Sequence, residues 1–348
     1  MKTGKTRWGG AFNRCIHTYD NIISLENLLE AWKEFLNGKR DRKDVQEFQL
    51  DLMGNIIDLH QDLKNKTYRH GGYHAFNISD PKPRNIHKAT VRDRLLHHAI
   101  YRVLYPYFDN KFIHDSYSCR LNKGTHKALN RFKAFGNRVS KNNTGQCWVL
   151  KCDIRKFFAS IDHSILLQIL EKHIQDQDTL WLLERIITSF MSKGTFDTGL
   201  PLGNLTSQLL VNIYMNEFDQ FVKHKLKVKY YIRYADDFVF LSSNREQLAH
   251  MSNGVNVFLR ERLKLELHPD KVFIKTLSSG VDFLGWVHFP TYRVLRTTTK
   301  RRMLKNLSTC DVDKLEQVRV SYLGMLKWGH TYKITKEVCR LAPSTKNL

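Results

Sequence analysis

Three aspartates in this sequence are spaced for metal-dependent chemistry. Asp236 and Asp237 sit side by side in "YIRYADDFVF" (231–240), among residues that otherwise favour a strand: Tyr231, Ile232 and Tyr234 before them, Phe238, Val239 and Phe240 after. Adjacent carboxylates repel, and partial burial raises that cost. A hairpin turn is one explanation, because Asp is a good turn residue. The other is a divalent cation held between these carboxylates and at least one more from the end of another strand. Asp153 meets that requirement, since it ends the apolar run "WVLKCD". Taken alone, Asp153 is equally a helix cap or a surface aspartate. Three carboxylates at one point are untenable without cations, so their convergence implies bound Mg²⁺. Two such ions activate an attacking oxygen and stabilise a leaving one in phosphoryl transfer.

The elements that must bring these residues together follow from the pattern around them. Residues 145–153 read as a strand. Asp162 caps a helix whose face is Ile165, Leu166, Ile169 and Leu170. A second helix spans 206–222. Paired strands at 230–241, a helix over about 246–263 and strands near 272–276 and 281–288 come next. That order matches a βαββαβ sheet with helices on one face, an α+β core. In such a sheet the end of the Asp153 strand and the turn at Asp236 lie side by side.

The flanks look structural. Residues 25–37 carry a helical stripe, with Gly38 as its terminator. Asp44 and Glu47 have the spacing of a capping box, opening a helix to about residue 65. Residues 73–86 are extended, punctuated by Pro81 and Pro83. A helix then repeats Val91, Leu95, Ala99 and Val103. The tail, 297–348, is helical, basic and aromatic.

With 348 residues, the chain calls for two or three subdomains. A formal charge of +22 exceeds what solubility needs and points to a polyanionic partner, most often nucleic acid. No apolar run approaches the roughly 20 residues that span a bilayer, so no membrane is expected. The basic N-terminus lacks the apolar stretch of a secretory signal. The six cysteines show no CxxC spacing, which argues against a zinc cluster and fits a reducing cytoplasm.

Several stretches together resemble the reverse transcriptases. "YADD" (234–237) resembles their active-site motif and "KCDIRKFF" (151–158) their first metal-binding motif. "DPKPRNI", "VRDRLLHHAI" and "HDSYSCRLNKGTH" look like motifs of the fingers. "LPLGNLTSQ" (200–208) occupies the loop-helix motif that closes over the nucleotide. "LELHPDK" and "VDFLGW" look like late palm motifs. The resemblance runs in order from about residue 75 to 290. It implies a right-hand fold of fingers, palm and thumb. The expected divisions are an N-terminal helical extension over 1–72, fingers over 73–145, palm over 146–290 and a short helical thumb over 291–348.

The resemblance also implies roles. Asp153 and Asp236 become metal ligands with Asp237 assisting, and the backbone carbonyl of Ile154 completes one shell. Phe158 is the steric gate that rejects a ribose 2′-OH and so selects dNTPs. Lys82 and Arg84 hold the triphosphate, Arg as a bidentate fork and Lys as a point charge. Lys271 protonates or neutralises the departing pyrophosphate. Arg92, Arg94 and Arg120 brace the fingers or touch template phosphates. Tyr234 packs against the primer end, and Gly285 allows a close backbone turn by the primer grip. Lys300, Arg301 and Arg302 grip an RNA–DNA hybrid through shape and phosphates.

One departure narrows the family. Most reverse transcriptases carry Gln-Gly and Ser-Pro where this chain has Leu202-Gly203 and Ser207-Gln208. That pattern resembles the enzymes of diversity-generating retroelements, as does the stretch "SLENLLEAWKEFLNGKR". The resemblance implies error-prone copying of a template-repeat RNA, especially opposite adenines, with a basic, helical-bundle accessory variability protein as partner, in a bacterial or phage-encoded setting. Leu202 offers only apolar contact where a Gln would offer a directional one, which weakens discrimination. The short length fits, because no maturase, endonuclease or RNase H segment is expected after the thumb. Rival readings are a group II intron-like or phage-defence reverse transcriptase, and a non-catalytic nucleic-acid-binding scaffold. The intact acidic cluster argues against the scaffold.

Overall fold

Nine strands are formed among the residues that the computed structural model describes, 18–79, 83–192 and 194–340. They are β1 (His74–Ile78), β2 (Arg84–Lys88), β3 (Trp148–Asp153), β4 (Tyr231–Tyr234), β5 (Asp237–Ser242), β6 (Phe273–Thr276), β7 (Val281–Phe283), β8 (Trp286–His288) and β9 (Arg293–Leu295). With the helices they make the α+β class expected above. No helix among the described residues is long and apolar enough to cross a membrane.

The chain divides into two compact units. The first runs up to Ile113 and adds Lys156–Asp219 and Glu261–Leu265. Its helices Leu25–Phe35 and Val91–Asp109 bury Leu28, Trp32 and Phe35 from one, and Leu95, Ala99 and Leu104 from the other. Asn27 Nδ2 ties the two by donating to the Ala99 carbonyl at 3.1 Å. β1 and β2 pair as an antiparallel hairpin in the segment expected to be extended.

Two local expectations in this unit are corrected. Asp44 does not cap its helix, which spans Lys43–Leu50 with Arg42 at the N-cap and no side-chain cap bond. Asp44 instead takes ion pairs from Lys88 and Arg94. Two cations bind a carboxylate more strongly than one backbone amide does. The helix expected to reach residue 65 is also broken at Asp51. Asp51 leaves helical geometry and caps a second helix, Leu52–Lys64, by accepting from Gly54 N. Asp162 caps its helix as expected, accepting from Ile165 N at 2.9 Å.

The second unit holds His114–Arg155, Gln220–Arg260 and the residues from Glu266 onward. Its sheet has the order β4-β5-β3-β6, with antiparallel neighbours throughout. One side of the sheet joins a core of Val149, Ile232, Val239 and Leu241 with Ala128, Phe132 and Phe135 of the helix Thr125–Val139. A smaller sheet, β7-β8-β9, follows. Its first turn is Leu284-Gly285, with φ of +51° and +85°, the two left-handed residues of a tight hairpin. The turn expected at Gly285 is thus present. The last helices, Thr297–Thr309, Val312–Leu326 and Tyr332–Arg340, share a core of Met303, Leu307, Leu315, Leu326 and Val338 with Trp286 and Leu295.

Candidate active site

The β4–β5 hairpin places the paired aspartates. Tyr234 faces Asp237 across it, so Ala235 and Asp236 form a two-residue turn. Ala235 has φ +55°, a left-handed conformation that costs a non-glycine residue about 1 kcal/mol or more. The turn is braced from within by Arg233, which is fully buried. Its guanidinium donates to the Ala235 carbonyl at 3.3 Å and to Ser116 Oγ at 3.1 Å. Its backbone N–H donates to the Asp115 carbonyl and its carbonyl accepts from Tyr117 N, each at 3.0 Å. Asp115 in turn accepts from Arg131 Nε at 2.8 Å.

β3 delivers the third aspartate. Asp153 lies directly opposite Asp237 in the β3–β5 register. Ile154 N donates to the Asp236 carbonyl at 3.1 Å, which fixes the hairpin turn to the end of β3. Like charges on opposed positions of a sheet repel, and two lysines answer them. Lys271 Nζ is 2.7 Å from Asp153 Oδ1. Lys151, two residues before Asp153 on β3 and itself buried, is 3.4 Å from Asp237 Oδ2. Burial pushes the Asp237 carboxyl up to about 7; Lys151 opposes the rise, and Asp153 and Asp236 reinforce it.

The expected meeting of three carboxylates at one point is met only in part. Among the described residues, no three His, Cys, Asp or Glu side chains stand close enough to make a metal cluster as they lie. Lys271 and Lys151 occupy one oxygen each of Asp153 and Asp237. The donor set still fits a hard divalent cation, because it is all carboxylate and Asp237 Oδ1 is buried without a hydrogen-bond partner.

In the first unit, the loop expected to close over the nucleotide is tied to β2. His87 N donates to the Leu202 carbonyl at 3.0 Å, and Asn204 Nδ2 donates to the His87 carbonyl at 3.3 Å. Gly203 has φ +107°, and a Cβ there would stand 2.9 Å from Ile86 Cγ2. Only glycine fits this turn against this strand. Arg84, at the start of β2, is exposed, and Leu202 and Gln208 are half-buried. Lys82 lies outside the described residues. Phe158 is half-buried beside the buried Phe157, ring centroids 5.6 Å apart, and its carbonyl accepts from Leu200 N at 2.8 Å.

The basic residues divide by what they touch. Arg92 pairs with Asp62 and lies over the Tyr68 ring, and Arg94 pairs with Asp44 and lies over Phe35. Both brace the helices of the first unit. Arg120 Nη1 donates to the Ser116 carbonyl at 3.0 Å. Tyr234 accepts from Thr125 Oγ1 at 3.1 Å. Lys300 pairs with Glu337 at 3.2 Å, Arg301 is exposed and Arg302 half-buried. Sequence reasoning passed over Lys151, Arg233 and Asp115. The available signal was a charge inside an apolar strand, at "VLKCD" and "YIRY".

Comparison with known proteins bears on the chemistry. The family described as "Reverse transcriptase (RNA-dependent DNA polymerase)" matches residues 78–288. Protein YkfC of Escherichia coli is 25% identical over 71% of this chain and 72% of its own length. The group II intron-encoded protein LtrA of Lactococcus lactis is 24% identical over 70% of this chain. The chain spans 50% of LtrA, and 30% of the putative COX1/OXI3 intron 2 protein of Saccharomyces cerevisiae, which is 21% identical over 62% of this chain.

Proposed function

The chain belongs to the reverse transcriptase (RNA-dependent DNA polymerase) family, and from that premise we propose that it copies a template-repeat RNA into adenine-mutagenised cDNA that diversifies a target gene. The polymerase half rests on one observation, the opposition of Asp153 and Asp237 beside the Asp236 turn. The mutagenic half rests on the loop "LPLGNLTSQ", in which Leu202 stands where most of the family resembled has Gln.

Asp153 and Asp236 would hold two Mg²⁺ ions, with Asp237 assisting and the Ile154 carbonyl completing a shell. When bound, such ions activate the primer hydroxyl and stabilise the departing oxygen. Lys151 neutralises Asp237 from the buried side of the strand. Lys271, half exposed and 2.7 Å from Asp153 Oδ1, supplies an ammonium to the leaving pyrophosphate. Arg84 and Lys82 hold the triphosphate, and Phe158 rejects the ribose 2′-OH. Gly203 lets the loop approach β2, and Gln208 and Leu202 contact the nucleotide. Leu202 lacks a directional hydrogen bond, so a mispaired base loses little there. Arg120, Tyr234, Gly285, Lys300, Arg301 and Arg302 meet template and primer. The fingers, palm and thumb divisions, a bacterial or phage cytoplasm and an accessory variability protein belong to this same reading.

A second reading is favoured by the similarity to LtrA: a group II intron-type enzyme of ordinary fidelity. Primer extension on RNA with Mg²⁺ and dNTPs, followed by sequencing, separates the two. Synthesis lost in Asp236→Ala, with wild-type errors concentrated opposite template adenines and reduced in Leu202→Gln, supports the mutagenic enzyme. Faithful wild-type copying supports the intron type. No synthesis, even with the accessory protein and native RNA supplied, overturns both.

A further inference from the structure

Besides the carboxylate hairpin, the second unit holds a cleft of about 320 Å³. The β8–β9 turn lines it with Phe289 and Tyr292, the helix Thr125–Val139 with Asn130 and Lys133, and the segment after Val312–Leu326 with Lys327 and Trp328. The backbone around it is fixed. Phe289 N donates to the Tyr292 carbonyl and His330 N to the Arg293 carbonyl, each at 2.8 Å. Gly329 packs so closely on Trp286 that a Cβ there would fall 2.0 Å from the indole ring.

Three properties of the lining point the same way. First, it offers flat apolar faces. Phe289 and Tyr292 stack with centroids 4.8 Å apart and Trp328 stacks on His126 at 3.9 Å, yet Tyr292 stays 47% exposed and Trp328 36%. Half-wet aromatic rings are stacking platforms for a planar ligand. Second, the lining carries Lys133, Lys327 and Arg293 and no Asp or Glu, which suits an anion. Third, it contains polar groups with no partner. Arg293 Nε donates to the Trp328 carbonyl and Nη2 to Asn130 Oδ1 at 3.3 Å, but its buried Nη1 donates to nothing. His288 is 3% exposed, and its Nε2 also has no partner. Burial and the Arg293 charge push that ring down to about 3, so it is neutral. A donor and a neutral ring nitrogen left unpaired in the lining are costly unless a ligand supplies the missing bonds.

We propose that this cleft binds one nucleotide of a single-stranded RNA, with its base on the Tyr292 and Trp328 rings, its polar edge met by Arg293 and His288, and its phosphate neutralised by Lys133 and Lys327. The volume lies within the range of small-ligand clefts. The site is separate from the nucleotidyl-transfer residues and does not depend on their activity. It serves to hold a template or companion RNA by a splayed base. A free nucleotide has the same chemistry, and the experiment distinguishes the two sources.

The full chain is photocrosslinked to a short single-stranded RNA carrying 4-thiouridine, and the attachment sites are mapped by mass spectrometry. Affinity for the same RNA is measured across a salt series. Crosslinks at Tyr292 and Trp328 are expected in the wild type. Tyr292→Ala with Lys327→Ala should remove them, weaken binding by about tenfold and lower the logarithmic salt slope by about 0.7. Extension of a pre-annealed template–primer should be unchanged in that variant. Asp236→Ala should keep the crosslinks, so failure of the polymerase reading leaves this one standing. Competition by unlabelled RNA but not by excess 5′-AMP supports the strand. Erasure by 5′-AMP at low concentration would put a free nucleotide there and overturn the strand. Crosslinks that map only elsewhere, or unchanged affinity in a variant with native circular dichroism, would overturn the site.

Discussion

The carboxylate hairpin and the Leu200–Asn204 loop, which leads into the helix Leu205–Gln220, are held in different ways. In the hairpin, charged side chains are added to the backbone bonds: Arg233 braces the turn from inside, and Lys151 and Lys271 each take a carboxylate. In the loop, backbone contacts do most of it, with one side chain, Asn204, donating to the His87 carbonyl. The Leu202 carbonyl is held by His87 N, Gly203 takes a conformation closed to other residues, and the side chains of Leu202 and, on the helix, Gln208 stay half-buried. The contrast follows from what each must tolerate. Clustered charge has to be compensated locally before the chain will fold around it. On the proposed reading, in which the loop meets the incoming base, a surface that accepts four different bases needs a fixed path and undemanding side chains.

Substitutions can break that contrast. The largest effect is expected from Asp153→Asn, which keeps the shape and removes one charge. Incorporation should fall by about 10³-fold or more, while the thermal midpoint holds or rises because the repulsion with Asp237 is gone. A parallel collapse of fold and activity would mean that the carboxylate is structural. Next is Arg233→Met. Its loss leaves the half-buried Ala235 carbonyl and the buried Ser116 hydroxyl without this donor, at about 1–3 kcal/mol, and denaturant titration should show that loss directly. An unchanged midpoint would remove Arg233 from the bracing of the turn. The smallest is Gly203→Ala, at about 1 kcal/mol of local strain. Here kcat/KM for dNTPs should drop with little change in melting. If melting falls as far as in Arg233→Met, Gly203 is as much a structural residue as the hairpin's brace.

What sequence reasoning reached, and what it missed, divides along the same line. The order of elements around the acidic residues was readable, because apolar periodicity and strand-ending aspartates are local signals. So was the Asp162 cap, which acts three residues away. Asp44 looked equally like a cap, but its partners lie at residues 88 and 94, and no local pattern announces them. Lys151 and Arg233 were passed over for the same reason. A charge in an apolar strand becomes intelligible only when the register is known and its counter-group is seen. β9, three residues long, gave no periodicity to read. That the end of the Asp153 strand would lie beside the Asp236 turn was anticipated, because topology supplied the long-range link, whereas the register that sets Asp153 opposite Asp237 was not. The lysines that neutralise the pair were not, because nothing in topology says how a site balances its charge.

The left-handed Ala235 also bears on how widely the Asp236 carboxylate can wander. A glycine in that turn would relieve the steric strain, but it would open several backbone wells and let the neighbouring residue sweep a broader arc. Alanine has one narrow left-handed well. It also restricts the unfolded chain more than glycine does, so less conformational freedom is lost when the turn closes. A methyl group at position 235 thus works as an entropic stop, limiting the positions that the Asp236 carboxylate can reach.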